Sequence, residues 1–169
     1  MPKCLYLVRH AKSSWSDASL HDRDRPLNKR GRKSAPDMGR RLAEQGHRPD
    51  LIISSPARRA FSTAKIIAKA LGFERSEIVT DEDLYFSGTG GMVSMLEKLD
   101  DRYQNVMIVG HNPAMTSLLN VLGKARVDNM PTCAVAVISF EMASWSELNA
   151  TSGILLAYDF PKNTGGFTA

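Results

Sequence analysis

The chain has 169 residues, 43% of them hydrophobic, and a formal net charge of +4 at pH 7; this is enough for one globular domain, residues 1–169, with a full core. The charge is too mild and the basic residues too dispersed to imply a nucleic-acid partner, and no apolar stretch is long enough to span a membrane. Met1 to Val8 lacks the cleavage region of a secretory signal, so a cytoplasmic location is expected.

Cys4-Leu5-Tyr6-Leu7-Val8 is a continuous apolar run that reads as a buried strand and ends at Arg9-His10. After a polar stretch from Lys12 to Arg25, a helical pattern runs to Gln45-Gly46. Its start is open. Either Asn28 caps it, which places Pro36 inside and predicts a kink, or Ser34 caps a shorter helix with Asp37 as the capping-box partner. Leu51-Ile52-Ile53 is a second short strand, leading to a helix with Ser55 expected as N-cap and Pro56 at the first helical position. Ala57, Ala60, Phe61, Ala64, Ile67, Ala68 and Leu71 fall at helical spacing, and Gly72 marks the stop.

A brief strand is expected near Ile78-Val79, then a glycine-rich turn from Gly88 to Gly91 and a helix from Met92 to Leu99. Asn105 to Val109 forms another buried strand, followed by Gly110-His111-Asn112-Pro113, where Asn112 is expected to cap a helix through Leu122. Strands around Ala134-Phe140 and Gly153-Tyr158 precede a polar tail. Alternation of strand and helix predicts a three-layer α/β/α sandwich built on a mostly parallel, doubly wound sheet, with an antiparallel edge strand from the late pair. Cys4 and Cys133 are both expected in strands, and their spacing suits neither a metal knuckle nor a disulfide framework, so both read as reduced core thiols.

Arg9-His10 follows the first strand, Arg58-Arg59 opens the helix after the second, and His111 lies between a later strand and its helix. Parallel strands bring these to one end of the sheet, where ligands of such folds bind. Two of the turns start helices, whose free N–H groups favour an anion, and a guanidinium fork matches phosphate oxygens. Each residue also has a plainer reading. Arg59 and Thr63 suit a solvated helix face, His111 the start of a helix, and Arg9 a pairing with a carboxylate such as Asp24. Joint placement at equivalent strand ends favours a phosphate pocket. His21 and His47 lie in polar segments and read as surface residues. A metal site on His10 and His111 lacks a third ligand and has arginines beside it. A serine nucleophile at Ser54 or Ser55 lacks the flanking glycines of a nucleophile elbow.

Leu7-Val8-Arg9-His10-Ala11 through Ser16 resembles the arginine–histidine–glycine signature of the histidine phosphatase superfamily, the phosphoglycerate-mutase-like fold. Ser55-Pro56-Ala57-Arg58-Arg59-Ala60-Phe61-Ser62-Thr63 is similar to its second motif, and Val109-Gly110-His111-Asn112-Pro113 to its third. Arg25-Pro26-Leu27 followed by Gly31 also matches. The short length and the His111-Asn112-Pro113 form most resemble the SixA-type phosphohistidine phosphatase branch. The resemblance implies catalytic roles for Arg9, His10, Arg59 and His111, with Arg59 rather than Arg58 as the phosphate ligand. It implies neither a metal nor a cofactor. Ala11 stands in place of the usual glycine, and Ser16 where many members have an asparagine that contacts phosphate. No glutamate stands where relatives keep a proton donor. Asp83, in the acidic run Asp81-Glu82-Asp83, is the candidate, with a solvated acidic turn as the alternative.

The expected chemistry is in-line attack by neutral His10, giving a phosphohistidine intermediate that water hydrolyses, while Arg9, Arg59 and His111 stabilise charge on the transferring oxygens. Arg9, Arg59 and any positive charge on His111 are expected to depress the His10 pKa. An imidazole leaving a phosphoramidate needs less protonation than an alkoxide leaving a monoester. The absent glutamate and the short chain therefore favour phosphohistidine on a partner protein as substrate. The alternatives are a small-molecule phosphomonoesterase using Asp83 as acid and a non-catalytic phosphate-recognition module.

Overall fold

In chain order the elements are β1 (Lys3–Arg9), α1 (Lys29–Glu44), β2 (Leu51–Ser54), α2 (Arg58–Ala70), β3 (Val79–Thr80), α3 (Asp83–Phe86), α4 (Thr89–Glu97), β4 (Asn105–Gly110), α5 (Ala114–Gly123), β5 (Val135–Phe140) and β6 (Gly153–Asp159). They come from a computed structural model that describes residues 2–163. The end of the polar tail, 164–169, lies outside the described residues.

The strands form one six-stranded sheet in the order β3-β2-β4-β1-β5-β6. β1, β2, β3 and β4 pair in parallel. β1 is antiparallel to β5, and β5 to β6. The expected antiparallel edge is therefore a reversed strand, β5, carrying the edge strand β6. Continuous apolar runs form β1 and β4 because both faces of the sheet are covered. Against one face pack Met38 and Leu42 of α1 and Ala60, Ala64 and Ile67 of α2. Against the other pack Met92 and Leu96 of α4 and Leu118, Leu119 and Leu122 of α5. The arrangement is the three-layer sandwich read from the sequence.

Several boundaries differ from expectation. Asn28 caps α1, its side chain accepting from Gly31 N at 2.9 Å, so Pro36 lies inside the helix. Ser55 is not the cap of α2, which starts at Arg58 behind Ala57; the Ser55 hydroxyl is engaged elsewhere, as described below. Gly90 and Gly91 belong to the first turn of α4 rather than to a free turn, and α3 precedes them. Helix α5 starts at Ala114, but Asn112 still serves its first turn, with Oδ1 accepting from Thr116 N and Oγ1. Cys133 lies just before β5, not within it, at φ 63 with its amide donating to the Arg9 and His10 carbonyls. Both cysteines are free; Cys133 is buried in the core as expected, whereas Cys4 is half-buried at its edge.

The segment leaving β1 is clamped rather than loose. Ser14 N donates to Pro26 O and Asn28 N to Lys12 O, at 2.8 and 2.9 Å. Gly31 allows this approach, because a Cβ there would stand 2.2 Å from Lys12 O. Gly31→Ala is therefore expected to lower stability by about 1–3 kcal/mol through overpacking against backbone. Gly90→Ala, where a Cβ meets nothing within 4 Å, is expected to be neutral or to stabilise by up to about 1 kcal/mol. Urea unfolding midpoints of the two variants test this; equal midpoints would refute the close-approach account of Gly31.

Candidate active site

The register of the central strands sets the site. Arg9 pairs with Gly110, and Ser54 with Val109, so β1, β4 and β2 end level with one another. Leaving those ends, the chain presents His10 after β1, His111 after β4 and Arg59 in the first turn of α2. Arg9, His10, Arg59 and His111 line one cavity of about 270 Å³. The convergence expected from the sequence is present. The imidazole centroids lie 5.0 Å apart.

His10 is buried, 8% exposed. Its Nδ1 is 2.7 Å from Ala11 O, and because a carbonyl only accepts, Nδ1 must carry the proton and Nε2 the free lone pair. Ala11 is fully buried among the α1 and α2 contacts, where a methyl group packs into the core; this is why an alanine serves there. Thr63 is not a surface residue. Its Oγ1 accepts from Ala11 N at 2.9 Å and donates to Arg59 O at 2.8 Å. Burial pushes the His10 pKa down to about 3, with His111, Arg59 and Arg9 adding to the effect against the Ala11 hydrogen bond. The arginines act as expected, but desolvation is the larger cause.

His111 Nε2 lies 2.8 Å from Ser55 Oγ, which also accepts from Ala57 N at 3.2 Å. Both groups are most fully satisfied when Ser55 donates its one proton to Nε2, leaving the His111 proton on Nδ1. Burial is again the main cause that lowers the His111 pKa, here to about 4. At neutral pH the pocket thus holds two neutral imidazoles, and the depression of His10 does not require a charged His111.

The two arginines are held differently. Arg59 is buried, with Nη1 and Nη2 donating to Asp22 O and Oδ2 at 2.7 and 2.9 Å, whereas Arg58 is exposed. Arg9 makes no pair with Asp24; its Nη1 donates to Met130 O at 2.8 Å. Asn112 Nδ2 donates to the same carbonyl at 3.0 Å, tying the start of α5 to the Arg9 side. Arg9 Nε, Arg59 Nε and His111 Nδ1 are buried without a hydrogen-bond partner among the described residues. All three belong to side chains that line the one cavity.

Two expected residues stand apart from the cavity lining. Ser16 is exposed and bonded to Ser14 Oγ; Ser13 lines the cavity instead. Asp83 is exposed, accepts from the Ser87 hydroxyl at 2.9 Å and does not line the cavity. The carboxylate that reaches the cavity's arginines is Asp22, bonded to Arg59, to Arg25 and to the Tyr85 hydroxyl. Asp22 sits in a polar stretch without periodicity, so no pattern in the sequence singles it out. Arg25 was legible only through its motif; buried, it also lies 3.4 Å from the centroid of the exposed Trp15 ring. His47, expected at the surface, is half-buried and in contact with Tyr6 through a 3.2 Å hydrogen bond. Among the described residues no group of acids, histidines and cysteines has the arrangement of a metal site.

The depressed histidines set a pH dependence. An unfolded chain takes up protons on these imidazoles near pH 6.5, whereas the native protein does so only near 4 at His111 and 3 at His10. The unfolded state binds more protons in that window, so stability must fall as pH drops from about 6.5 toward 3. Urea midpoints measured across this range should decline, and the decline should be shallower in His10→Gln/His111→Gln. Ring NMR signals of His10 or His111 that titrate near 6.5 would contradict it.

Comparison with known proteins agrees with the geometry. The sequence profile of the histidine phosphatase superfamily (branch 1) matches residues 5–85, which include Arg9-His10 and Arg59. An uncharacterised chloroplastic protein of Arabidopsis thaliana is 33% identical over 157 residues, 88% of this chain and 72% of the relative. A crystal structure of a protein assigned the name phosphohistidine phosphatase SixA, from Agrobacterium tumefaciens, superposes with a TM-score of 0.79 at 29% identity, covering 95% of this chain and 99% of that one. The protein histidine phosphatase SixA complexed with tungstate shares the fold, with a TM-score of 0.78 at 21% identity over 94% of this chain and 97% of that one. Matched in sequence through the first two motifs and in fold over 95% of its length, the chain belongs to the histidine phosphatase superfamily and is similar in structure to its SixA-type members.

Proposed function

We propose that the protein hydrolyses phosphohistidine on a partner protein, through a covalent phosphohistidine intermediate on His10. The observation that carries this reading is that, among the described residues, the carboxylate bonded to the cavity's arginines is ionised. Although partial burial pulls it upward, the Tyr85 hydroxyl and the Arg59 and Arg25 guanidiniums hold the Asp22 carboxyl down to about 2. Asp22 is thus an ionised positioning group for Arg59, and Asp83 points its hydrogen bonding at Ser87. A monoester oxygen leaves badly without a proton donor. A histidine imidazole whose second ring nitrogen carries a proton departs from phosphorus as a neutral group. That difference selects the phosphoramidate.

In the first step His10 Nε2 donates its lone pair to phosphorus in line with the departing imidazole; the new N–P bond forms as the substrate N–P bond breaks. Nδ1–H, held by the Ala11 carbonyl, stabilises the imidazolium character that develops on His10. Arg9, Arg59 and His111 Nδ1–H donate to the equatorial oxygens, where charge is shared in the transition state. In the second step water attacks the phosphoryl group from the vacated side; the O–P bond forms as the His10 N–P bond breaks, His10 leaves with its Nε2 lone pair restored, and the phosphate formed keeps both protons of the water. A cavity of about 270 Å³ is small, which suits a single phosphoryl group presented on an imidazole.

The test is turnover of a phosphohistidine-bearing protein beside a panel of phosphate monoesters. The protein substrate should be preferred, and an acid-labile phosphoenzyme should be trapped. His10→Ala should abolish both signals, and Arg59→Ala should lower kcat/KM by at least about 100-fold, the scale of losing one transition-state donor. Ser55→Ala, which deprives His111 Nε2 of its partner, should lower kcat by about 10-fold with little change in KM. Turnover of monoesters alone would sink the phosphohistidine assignment, and binding without turnover would leave a phosphate-recognition module.

A further inference from the structure

Beside the catalytic cavity lies a larger groove of about 1060 Å³, and the two share Arg9, Lys12 and Thr132 along their common border. Its cationic lining is assembled from distant parts of the chain. Arg30, Lys33 and Arg40 come from one face of α1, Lys12 from the segment after β1, and Lys162 from the segment after β6. The opposite face of α1 is committed to the core through Ala35, Met38 and Leu42. One carboxylate, Asp37, lies in the lining, and it is already paired with Arg40 and Arg41. Lys12, Arg30, Lys33 and Lys162 are exposed and form no ion pair among the described residues.

The wall carrying Lys162 is a built feature. Arg41 Nη1 donates to Phe160 O and Asn163 O at 3.1 and 3.0 Å, and Nη2 to Pro161 O at 2.8 Å. The same guanidinium bonds the fully buried Asp159 at 3.1 Å. The segment is thereby pinned across from α1, and Pro36, Pro131, Phe160 and Pro161 supply apolar lining between the charges.

We propose that this groove docks an acidic segment of the protein substrate next to its phosphohistidine. The proposal rests on the phosphohistidine reading above and names the partner chemistry. Positive charges spaced singly along a helix face match carboxylates distributed along a polypeptide. A polyphosphate would instead be expected to require converging donors of the kind the catalytic cavity provides. Docking of this type acts on encounter and affinity more than on the chemical step, so it should appear in kcat/KM for a protein substrate and not for a free phosphoamino acid.

Two synthetic phosphohistidine peptides, one flanked by glutamates and the other by glutamines, provide the test, with free phosphohistidine as the small reference substrate. The wild type should turn over the glutamate peptide with a kcat/KM about 10-fold higher at low salt, as expected for a few exposed ion pairs acting together. The preference should shrink with added salt and vanish in Arg30→Gln/Lys33→Gln/Lys162→Gln, while turnover of free phosphohistidine stays unchanged. Equal handling of the two peptides by the wild type overturns the docking role and leaves the phosphatase reading intact. No turnover of either peptide removes both. A variant that loses free phosphohistidine turnover to the same extent also overturns it, since the groove would then act only through the fold. A single-stranded RNA oligomer that inhibits peptide turnover more strongly than polyglutamate of equal charge would reassign the groove to nucleic acid.

Discussion

The Ala11 peptide holds the two halves of the site together. Its carbonyl fixes the His10 tautomer at 2.7 Å, and its amide donates to Thr63 Oγ1, which in turn donates to the Arg59 carbonyl one turn earlier in α2. The His10 ring at the end of β1 is therefore positioned relative to the arginine of α2 through three consecutive hydrogen bonds between buried groups. Buried polar groups are costly unless partnered, so this arrangement has little freedom to drift. The clamp of Lys12 on Asn28, made possible at Gly31, keeps the same segment from peeling away.

Around that fixed centre the protein concentrates positive charge while withholding protons. Desolvation, more than charge repulsion, keeps His10 and His111 neutral, so each ring carries one lone pair and one N–H. Asp22 balances Arg59 and Arg25 from the more exposed side of the site without becoming an acid.

The basic groove extends the same electrostatic logic outward. The cavity brings Arg9, His10, Arg59 and His111 together within about 270 Å³, whereas the groove beside it offers separated charges on exposed side chains. Its cations are dispersed in the sequence, from Lys12 to Lys162, and only the return of the chain after β6 beside α1 collects them. A net charge of +4 is thus a poor guide to local potential.

The sequence by itself determined the layer architecture and the identity of the pocket's four central residues. Apolar runs of buried strands, helical spacing and the order of the motifs are local or pairwise features, and a parallel sheet forces equivalent strand ends to one edge. Helix boundaries were less legible. Ser55 reads as a cap because its type and its proline neighbour fit, yet tertiary contact assigns its hydroxyl to His111. Asp22, Met130 and Tyr85 carry no pattern, since each reaches the site by a loop or a short turn whose path depends on packing. Only the tertiary structure decided which carboxylate meets Arg59, how far burial lowers the two histidines, and that scattered lysines and arginines share one groove. Each of these depends on distance and solvent exclusion, which a linear order of residues does not contain.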